Sequence, residues 1–496
     1  MINDTSKFPD PAFRDAILAP LFDNAKTHYA DAFRAINHAH LVMLTEQGIL
    51  TQTQASAIAT ALHDIDSNTD IDALTYTGEY EDYFFLVEAE LRARLGPDLG
   101  GALHTARSRN DMDHTVFKMV LRDKADALLS LTTNLAQTLL DTARREAGTL
   151  IVAYTHGQPA QPTTFGHYLH AVLDGLLRDM TRISDARDAL DHCPMGAAAI
   201  TTTGFPVNRD RMAGLLGFAT PTANSYSSIA GVDYITALYS ALKLTCLHLG
   251  RFLQDLQFWT AFEVGQLYVP NALVQISSIM PQKRNPVPIE HMRHLASVAV
   301  GRCDTVVNTM HNTPFTDMND SEGEVQVAGY GAFESAGRML TLLTALVPAC
   351  RVRSDKVATN MDAACVTITE LADTLVRDEG LSFRQAHEIA ATTARDVIGR
   401  SVPLGDGFDA FAAAFKDQTG RATTLDAGRF ATTVSAETFV ARREIPGGPG
   451  PGVLADALAS AQADLAALRD VGQCRTTRLA TSETARARAF SELLGA

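Results

Sequence analysis

Apolar side chains recur along much of the chain at alternating spacings of three and four, and the proline-free stretches show how far each helix can run. Proline inside a helix costs about 3 kcal/mol. None occurs at 98–158, 163–193, 222–269 or 289–313, and those stretches can hold helices well beyond the usual dozen residues. The clearest segment runs from Tyr226 to Phe262. There Ile235, Leu238, Leu242, Thr245, Leu249, Phe252, Leu256 and Trp259 make a seam like that of a coiled coil. The other side carries Leu244, Leu247, Leu253 and Phe258, so this helix is expected to be buried among several neighbours. Asp113 to Arg144 repeats the pattern through Phe117, Leu121, Leu128, Leu131 and Leu135. No alternating β-branched run marks a sheet core. The expected fold is all-α, with a central bundle of very long helices. The Gly- and Pro-rich stretch at 445–452 lacks the G-x-x-x-x-G-K-[ST] pattern of a nucleotide cradle and is expected to be a stiff connector.

At about 150 residues per domain, 496 residues suggest roughly three units. The expected boundaries are 1–112, 113–365 and 366–496: an N-terminal helical unit, the long-helix bundle and a smaller helical unit. The 46 % apolar content is ample for a core. With 42 basic and 57 acidic side chains the net charge is −15. That charge argues against nucleic-acid and anionic-membrane partners. Taken alone, it also argues against an acidic ligand. Six scattered cysteines without a CxxC pair fit a reducing compartment. The start MINDTSKFPDP has no signal-peptide pattern, and no apolar run is long enough to span a bilayer. A cytoplasmic location is expected.

Three strings carry chemistry. The first, Ile276-Ser-Ser-Ile-Met-Pro-Gln-Lys-Arg-Asn-Pro286, sets two hydroxyls, Lys283 and Asn285 just ahead of a helix beginning near Pro288. A lysine, an amide donor and a helix N-terminus suit an anion site better than a plain polar loop. The second is His104-Thr-Ala-Arg-Ser-Arg-Asn-Asp111, before the helix expected at 113. Arginine forks suit bidentate carboxylate binding, while Asn110 or Asp111 could equally cap that helix. The third, Tyr154-Thr-His-Gly-Gln-Pro-Ala-Gln-Pro-Thr-Thr-Phe-Gly-His167, puts His156 in a loop, where an imidazole more often serves function than packing. His167 with His170, and His291 with His294, complete no known metal-ligand set, so neither a metal nor a cofactor is expected.

With these strings in place, the chain resembles the argininosuccinate lyase branch of the aspartase/fumarase superfamily. S-S-x-M-P-x-K-x-N-P is the superfamily signature, and H-T-x-R-S-R-N-D points to the branch. Cys193-Pro-Met-Gly-Ala-Ala-Ala199, Phe205-Pro-Val-Asn-Arg-Asp-Arg211 and Gly380-Leu-Ser-Phe-Arg-Gln-Ala-His-Glu388 extend the resemblance over roughly residues 20 to 460. It implies three helical domains, a homotetramer with a twenty-helix core, and active sites each shared by three subunits. It also implies reversible elimination of an amine from an N-substituted aspartate, leaving fumarate. By motif position, Ser277 would be the general base, and Lys283 and Asn285 would hold the developing aci-carboxylate. Ser108, Arg109, Asn110 and Thr155 would grip the succinyl carboxylates, with Ser278, Met280 and Gln282 also lining the substrate. His156, oriented by Glu290, would serve the acid side. The proline-bounded 270–286 segment would be a lid that delivers Ser277 on closure. Arg107, Arg109, Lys283, Arg284 and Arg293 in or beside these strings would make a locally positive pocket in a negative protein.

Departures gather at the amine half. Where the family reads A-Y-N-K-D-L-Q-E-D-K-E, this chain reads Thr313-Pro-Phe-Thr-Asp-Met-Asn-Asp-Ser-Glu-Gly323, so that Pro314, Asn319 and Glu322 replace three arginine-side contacts. An acid in place of a cation would repel arginine's α-carboxylate. The family's E-D-V-H becomes Glu81-Asp-Tyr-Phe84, and the loop after His156 reads G-Q-P-A instead of L-Q-R-A. The expected substrate is therefore an N-substituted aspartate other than argininosuccinate, with a cationic or diamine-type amine, as for ethylenediamine-disuccinate lyase. The competing expectations are argininosuccinate lyase, adenylosuccinate lyase, or a catalytically silent relative.

Overall fold

The computed structural model describes residues 8–495. Five helices make its centre: α1 Arg109–Arg145, α2 Phe165–Ala189, α3 Asp233–Trp259, α4 Val287–Thr309 and α5 Gly323–Ala349. They pack in a closed circuit, α3 on α4, α4 on α5, α5 on α1, α1 on α2 and α2 on α3. The seam explains the circuit, because all eight of its positions on α3 are buried. Leu244 and Leu247, on the other side of α3, remain exposed in the single chain.

The expected helix from Tyr226 to Phe262 is in fact two. Ser225–Ala230 ends at Gly231, and α3 begins at Asp233. A Cβ on Gly231 would lie 2.6 Å from the Ser227 carbonyl oxygen, so the chain turns there only with glycine. A sixth long helix, α6 Pro451–Leu494, follows the Gly- and Pro-rich connector. Its Leu454, Leu458, Ala461 and Leu465 lie on one face and join the main core with Phe490 and Leu493. A second core, built from Leu371, Leu375, Ile389, Phe411, Phe415 and Phe430, occupies only part of the 366–496 segment. Beside it, buried Glu370 accepts hydrogen bonds from Arg377, Arg442 and Arg443, which fastens this smaller unit to the start of the connector.

Among the described residues, eight short strands pair two by two, and none of the four pairs was expected from the sequence; the pair around His156 matters most for the site. β1 (Leu150–Thr155) and β2 (Gln158–Thr164) form an antiparallel hairpin. The parallel β3/β4 pair is His192–Cys193 with Thr220–Pro221. β5 (Leu267–Tyr268) pairs with β8 (Arg351–Val352), and β6 (Gln275–Ile276) with β7 (Arg284–Asn285).

Candidate active site

The carboxylate-binding string lies at the N-terminus of α1, which begins four residues earlier than 113. Ser108 is the cap: its hydroxyl oxygen accepts from the Asn110 N–H at 3.4 Å, and the Asp111 carboxylate accepts from the Ser108 N–H at 2.9 Å. The Asp111 N–H also donates to the Ser108 side chain, and with the Asp111–Ser108 bond this completes a capping box. The other Asp111 oxygen accepts from the Gly196 and Ala198 N–H groups, both at 2.9 Å, and so ties the helix start to the 193–199 loop. Burial pushes the Asp111 carboxyl up to about 6, against the opposing pull of those three N–H groups. Asn110 donates to the Ala199 carbonyl.

Arg109 is already engaged. Its Nη1 bonds Glu81 at 3.1 Å and Asp82 at 2.7 Å, and its guanidinium lies 5.3 Å from the Phe85 ring centre. These acids are the two residues of Glu81–Phe84 that keep the family's pattern, and their link to Arg109 spans too much chain to be visible in a local pattern. Arg107 is buried and donates to Asn37, while Arg284 donates to the Val269 carbonyl and packs over Tyr268. Two of the cations expected to make the locally positive pocket are thus structural, and a third is partly neutralised.

His156 and Gly157 are the two residues of the hairpin tip, between the paired Thr155 and Gln158. Their φ values of +53° and +73° define a type I′ turn. The His-Gly dipeptide was the available signal. It was masked by Pro159 and Pro162, which normally argue against a strand. Pro162 fits because its partner, Val152, turns both backbone groups away from β2. The Val152 N–H donates to Gln266 Oε1 at 3.2 Å, and the Val152 carbonyl accepts from Gln266 Nε2 at 3.3 Å. Gln266 is only 1 % exposed and immediately precedes β5. A buried carboxamide therefore holds the edge of the strand that carries His156. Thr155 and His156 are both exposed at the tip. His167 accepts from the Thr163 hydroxyl and donates to the Gly447 carbonyl, so both its nitrogens are engaged.

The signature string forms the β6/β7 hairpin. Its base is closed by Gln275 with Asn285 and Ile276 with Arg284. Ser277 opens the turn, and its Oγ accepts from the N–H groups of Met280 at 3.1 Å and Ile279 at 3.4 Å. Two donors aimed at one hydroxyl oxygen favour negative charge there. Ser278, Met280, Gln282 and Lys283 are exposed on the same turn, and Glu290 is exposed in the first turn of α4. The bonded partners found for Arg109, Asn110, Ser277, Arg284 and His167 all lie outside the other two strings.

The segment that departs from the family lies beside α1. Pro314 and Asn319 are exposed, whereas Glu322 is partly buried at the start of α5. Burial, then the neighbouring Asp317, raises the Glu322 carboxyl above the usual range, and Arg109 pulls the other way.

Residues 24–301 match a family model described as lyase, and residues 365–429 match one described as argininosuccinate lyase C-terminal. The chain is 57 % identical over 495 residues to argininosuccinate lyase 2 of Agrobacterium fabrum (strain C58 / ATCC 33970), covering 100 % of this chain and 98 % of that protein. It is 33 % identical over 456 residues to argininosuccinate lyase 1 of Shouchella clausii (strain KSM-K16), covering 91 % of each. A solved structure of an EDDS lyase variant with bound fumarate superposes with a TM-score of 0.87 at 27 % identity, covering 98 % of this chain and 96 % of that one. With helices, motifs and relatives in agreement, the chain belongs to the argininosuccinate lyase branch of the aspartase/fumarase superfamily and is a fumarate-releasing carbon–nitrogen lyase.

Proposed function

We propose that the protein reversibly cleaves an N-substituted aspartate other than argininosuccinate, with Ser277 as the base. Ser277 Oγ takes a proton from the carbon beside the distal carboxylate, which becomes a dianionic aci form. The electron pair then forms the carbon–carbon double bond, and the carbon–nitrogen bond breaks with its electrons passing to nitrogen. The nitrogen gains a proton and leaves as the amine, and the remainder is fumarate. The observation that carries this reading is the pair of backbone N–H groups on Ser277 Oγ, which stabilise the alkoxide this base requires.

Lys283 and Asn285, on the same short hairpin, neutralise the aci-carboxylate. Ser278, Met280 and Gln282 line the substrate from that turn. Ser108, Asn110 and Thr155 bind the succinyl carboxylates, joined by the Arg109 donors that Glu81 and Asp82 leave free, since both acids use Nη1. His156, oriented by Glu290, serves the acid side. These groups meet between chains, in a homotetramer whose sites each draw on three subunits. The exposed Leu244 and Leu247 on α3 are consistent with that assembly.

A second reading, argininosuccinate lyase, is favoured by the name of the 57 % identical relative. Feeding argininosuccinate to the purified enzyme, and fumarate with a panel of amines in the reverse direction, separates the two. The proposal expects fumarate to be consumed with another amine much faster than argininosuccinate is cleaved. Efficient argininosuccinate cleavage would overturn it.

A further inference from the structure

The start of α1 grips the loop that follows β3 through three of its side chains. Asn110 donates to the Ala199 carbonyl at 3.0 Å. One Asp111 oxygen takes the Gly196 and Ala198 N–H groups at 2.9 Å, and the other takes the Ser108 N–H at 2.9 Å. Two helical turns further on, the Lys118 ammonium donates to the His192 carbonyl at 3.0 Å and lies 4.9 Å from the Tyr234 ring centre. Asp111 is 0 % exposed and Lys118 6 %. The loop is thereby laid beside Ser108 and Asn110.

That loop is strained. Ala198 and Thr202 have φ of +51° and +69°, a region that side chains rarely enter and β-branched ones least of all. Thr202 is exposed, so burial of its own side chain does not offset the strain. Such backbone persists only where its surroundings over-determine it. Here those surroundings are Asp111, Asn110 and the bond from the Thr202 N–H to the Ala197 carbonyl at 2.8 Å. Asp111 accepts three backbone N–H bonds at once, which a carboxylate can do, whereas a carboxamide must turn its own N–H groups against a donor.

The negative charge does not serve the fold. Burial outweighs the three N–H groups and the Arg107 charge, and brings the Asp111 carboxyl up to about 6. Lys118 and Arg209 flank the Cys193 thiol on the other side, which burial pushes up to about 12 and keeps neutral. The native chain therefore holds the Asp111 proton more tightly than the unfolded chain does. Protonation as pH falls from about 6 towards the ordinary 3.8 adds to stability. It also turns one acceptor oxygen into a donor and releases an N–H group.

We propose that Asp111 is a positioning residue for the lyase reaction: its carboxylate, with Lys118 as a second fastening, holds the 193–202 loop against α1 and so sets the Ser108 hydroxyl and the Asn110 carboxamide for the substrate carboxylate. This rests on the carboxylate-binding role proposed above for Ser108 and Asn110.

The test is calorimetric titration of the full-length protein with fumarate between pH 7.5 and pH 5 at fixed ionic strength, with thermal midpoints taken on the same samples. The wild-type dissociation constant should rise about tenfold from pH 7 to pH 5, as the ionised fraction of a group titrating near 6 falls from about nine-tenths to about one-tenth. Histidines gain positive charge on acidification and would tighten fumarate binding, so they do not imitate this loss. Asp111→Asn should bind about tenfold more weakly at pH 7 and lose the pH dependence, while Lys118→Met should weaken binding and keep it. A merely structural Asp111 moves only the midpoint, whose difference between wild type and Asp111→Asn should widen in favour of wild type as pH falls. A flat wild-type affinity, or wild-type affinity at pH 7 in Asp111→Asn, would overturn the assignment. If Asp111→Asn does not fold, the wild-type profile and Lys118→Met decide it, and unchanged binding in either overturns it. Failure of the wild type to bind fumarate even at pH 7.5 would instead overturn the carboxylate-binding reading beneath it.

Discussion

The hairpin that carries His156 is held at its edge by Gln266, and substitution there measures what that support contributes. In Gln266→Met the volume is nearly kept, but the Val152 N–H and carbonyl both lose their partner. Val152 is 0 % exposed, so water does not readily replace the carboxamide. Each orphaned group costs about 1–3 kcal/mol, giving about 4 kcal/mol for the pair. If half of that appears in the unfolding barrier, about 2 kcal/mol shortens the thermal-inactivation half-life roughly thirtyfold. Inactivation rate is the suitable readout, because large proteins often unfold irreversibly. Gln266→Ala adds a cavity and should be worse still. A Gln266→Met half-life within about twofold of wild type, beside a much shorter one for Gln266→Ala, would refute the reasoning, because packing and not hydrogen bonding would then hold the strand. Residual activity at low temperature should fall in both variants, since His156 sits three residues beyond the hairpin's bulge at Ala153/Tyr154.

Three further outcomes are expected. Gly157→Ala places a Cβ at φ +73° with no atom within 4 Å to clash, so its cost of about 1–2 kcal/mol is backbone strain alone; Gly157→Asn should recover part of the lost activity, and equal loss in both would argue against the turn. Burial, Arg107 and His104 hold the His40 imidazole down to about 3 from an ordinary 6.5. The unfolded chain therefore binds more protons between those values, and stability should fall by about 1.4 kcal/mol per pH unit as pH drops below 6.5; a urea midpoint whose pH slope is unchanged in His40→Gln would contradict this. Finally, inactive Ser277→Ala and inactive His156→Ala proteins should regain measurable activity when co-expressed, and none despite mixed assemblies in native mass spectrometry would speak against sites shared between chains.

The central bundle was legible because burial imposes a period. Every seam position from Ile235 to Trp259 is buried, as the three-and-four spacing requires. Boundaries were less legible where two caps competed: Asn110 and Asp111 were candidates, yet Ser108 caps α1 with Asp111 as its third residue, which is the S-x-x-D reading of a capping box. The β1/β2 hairpin was hidden because proline is tolerated where the partner's backbone groups point outwards, and that depends on Gln266, more than a hundred residues away. For the candidate site, the strings supplied the residues but not their electrostatic surroundings. The pairing of Arg109 with Glu81 and Asp82, and the approach of Asp317 and Glu322 to Asp113, are tertiary facts. They turn an expected positive pocket into one with an acidic side.

The most direct test is a comparison of wild type with Ser277→Ala, using fumarate and the amine that the panel identifies as reactive. Ser277 is on an exposed turn, so the variant should keep the wild-type thermal midpoint while its fumarate turnover falls by at least about a thousandfold, in the range for loss of a proton-transferring group. A Ser277→Ala enzyme that is equally folded and turns over fumarate within about tenfold of wild type would contradict the assignment of Ser277 as the base.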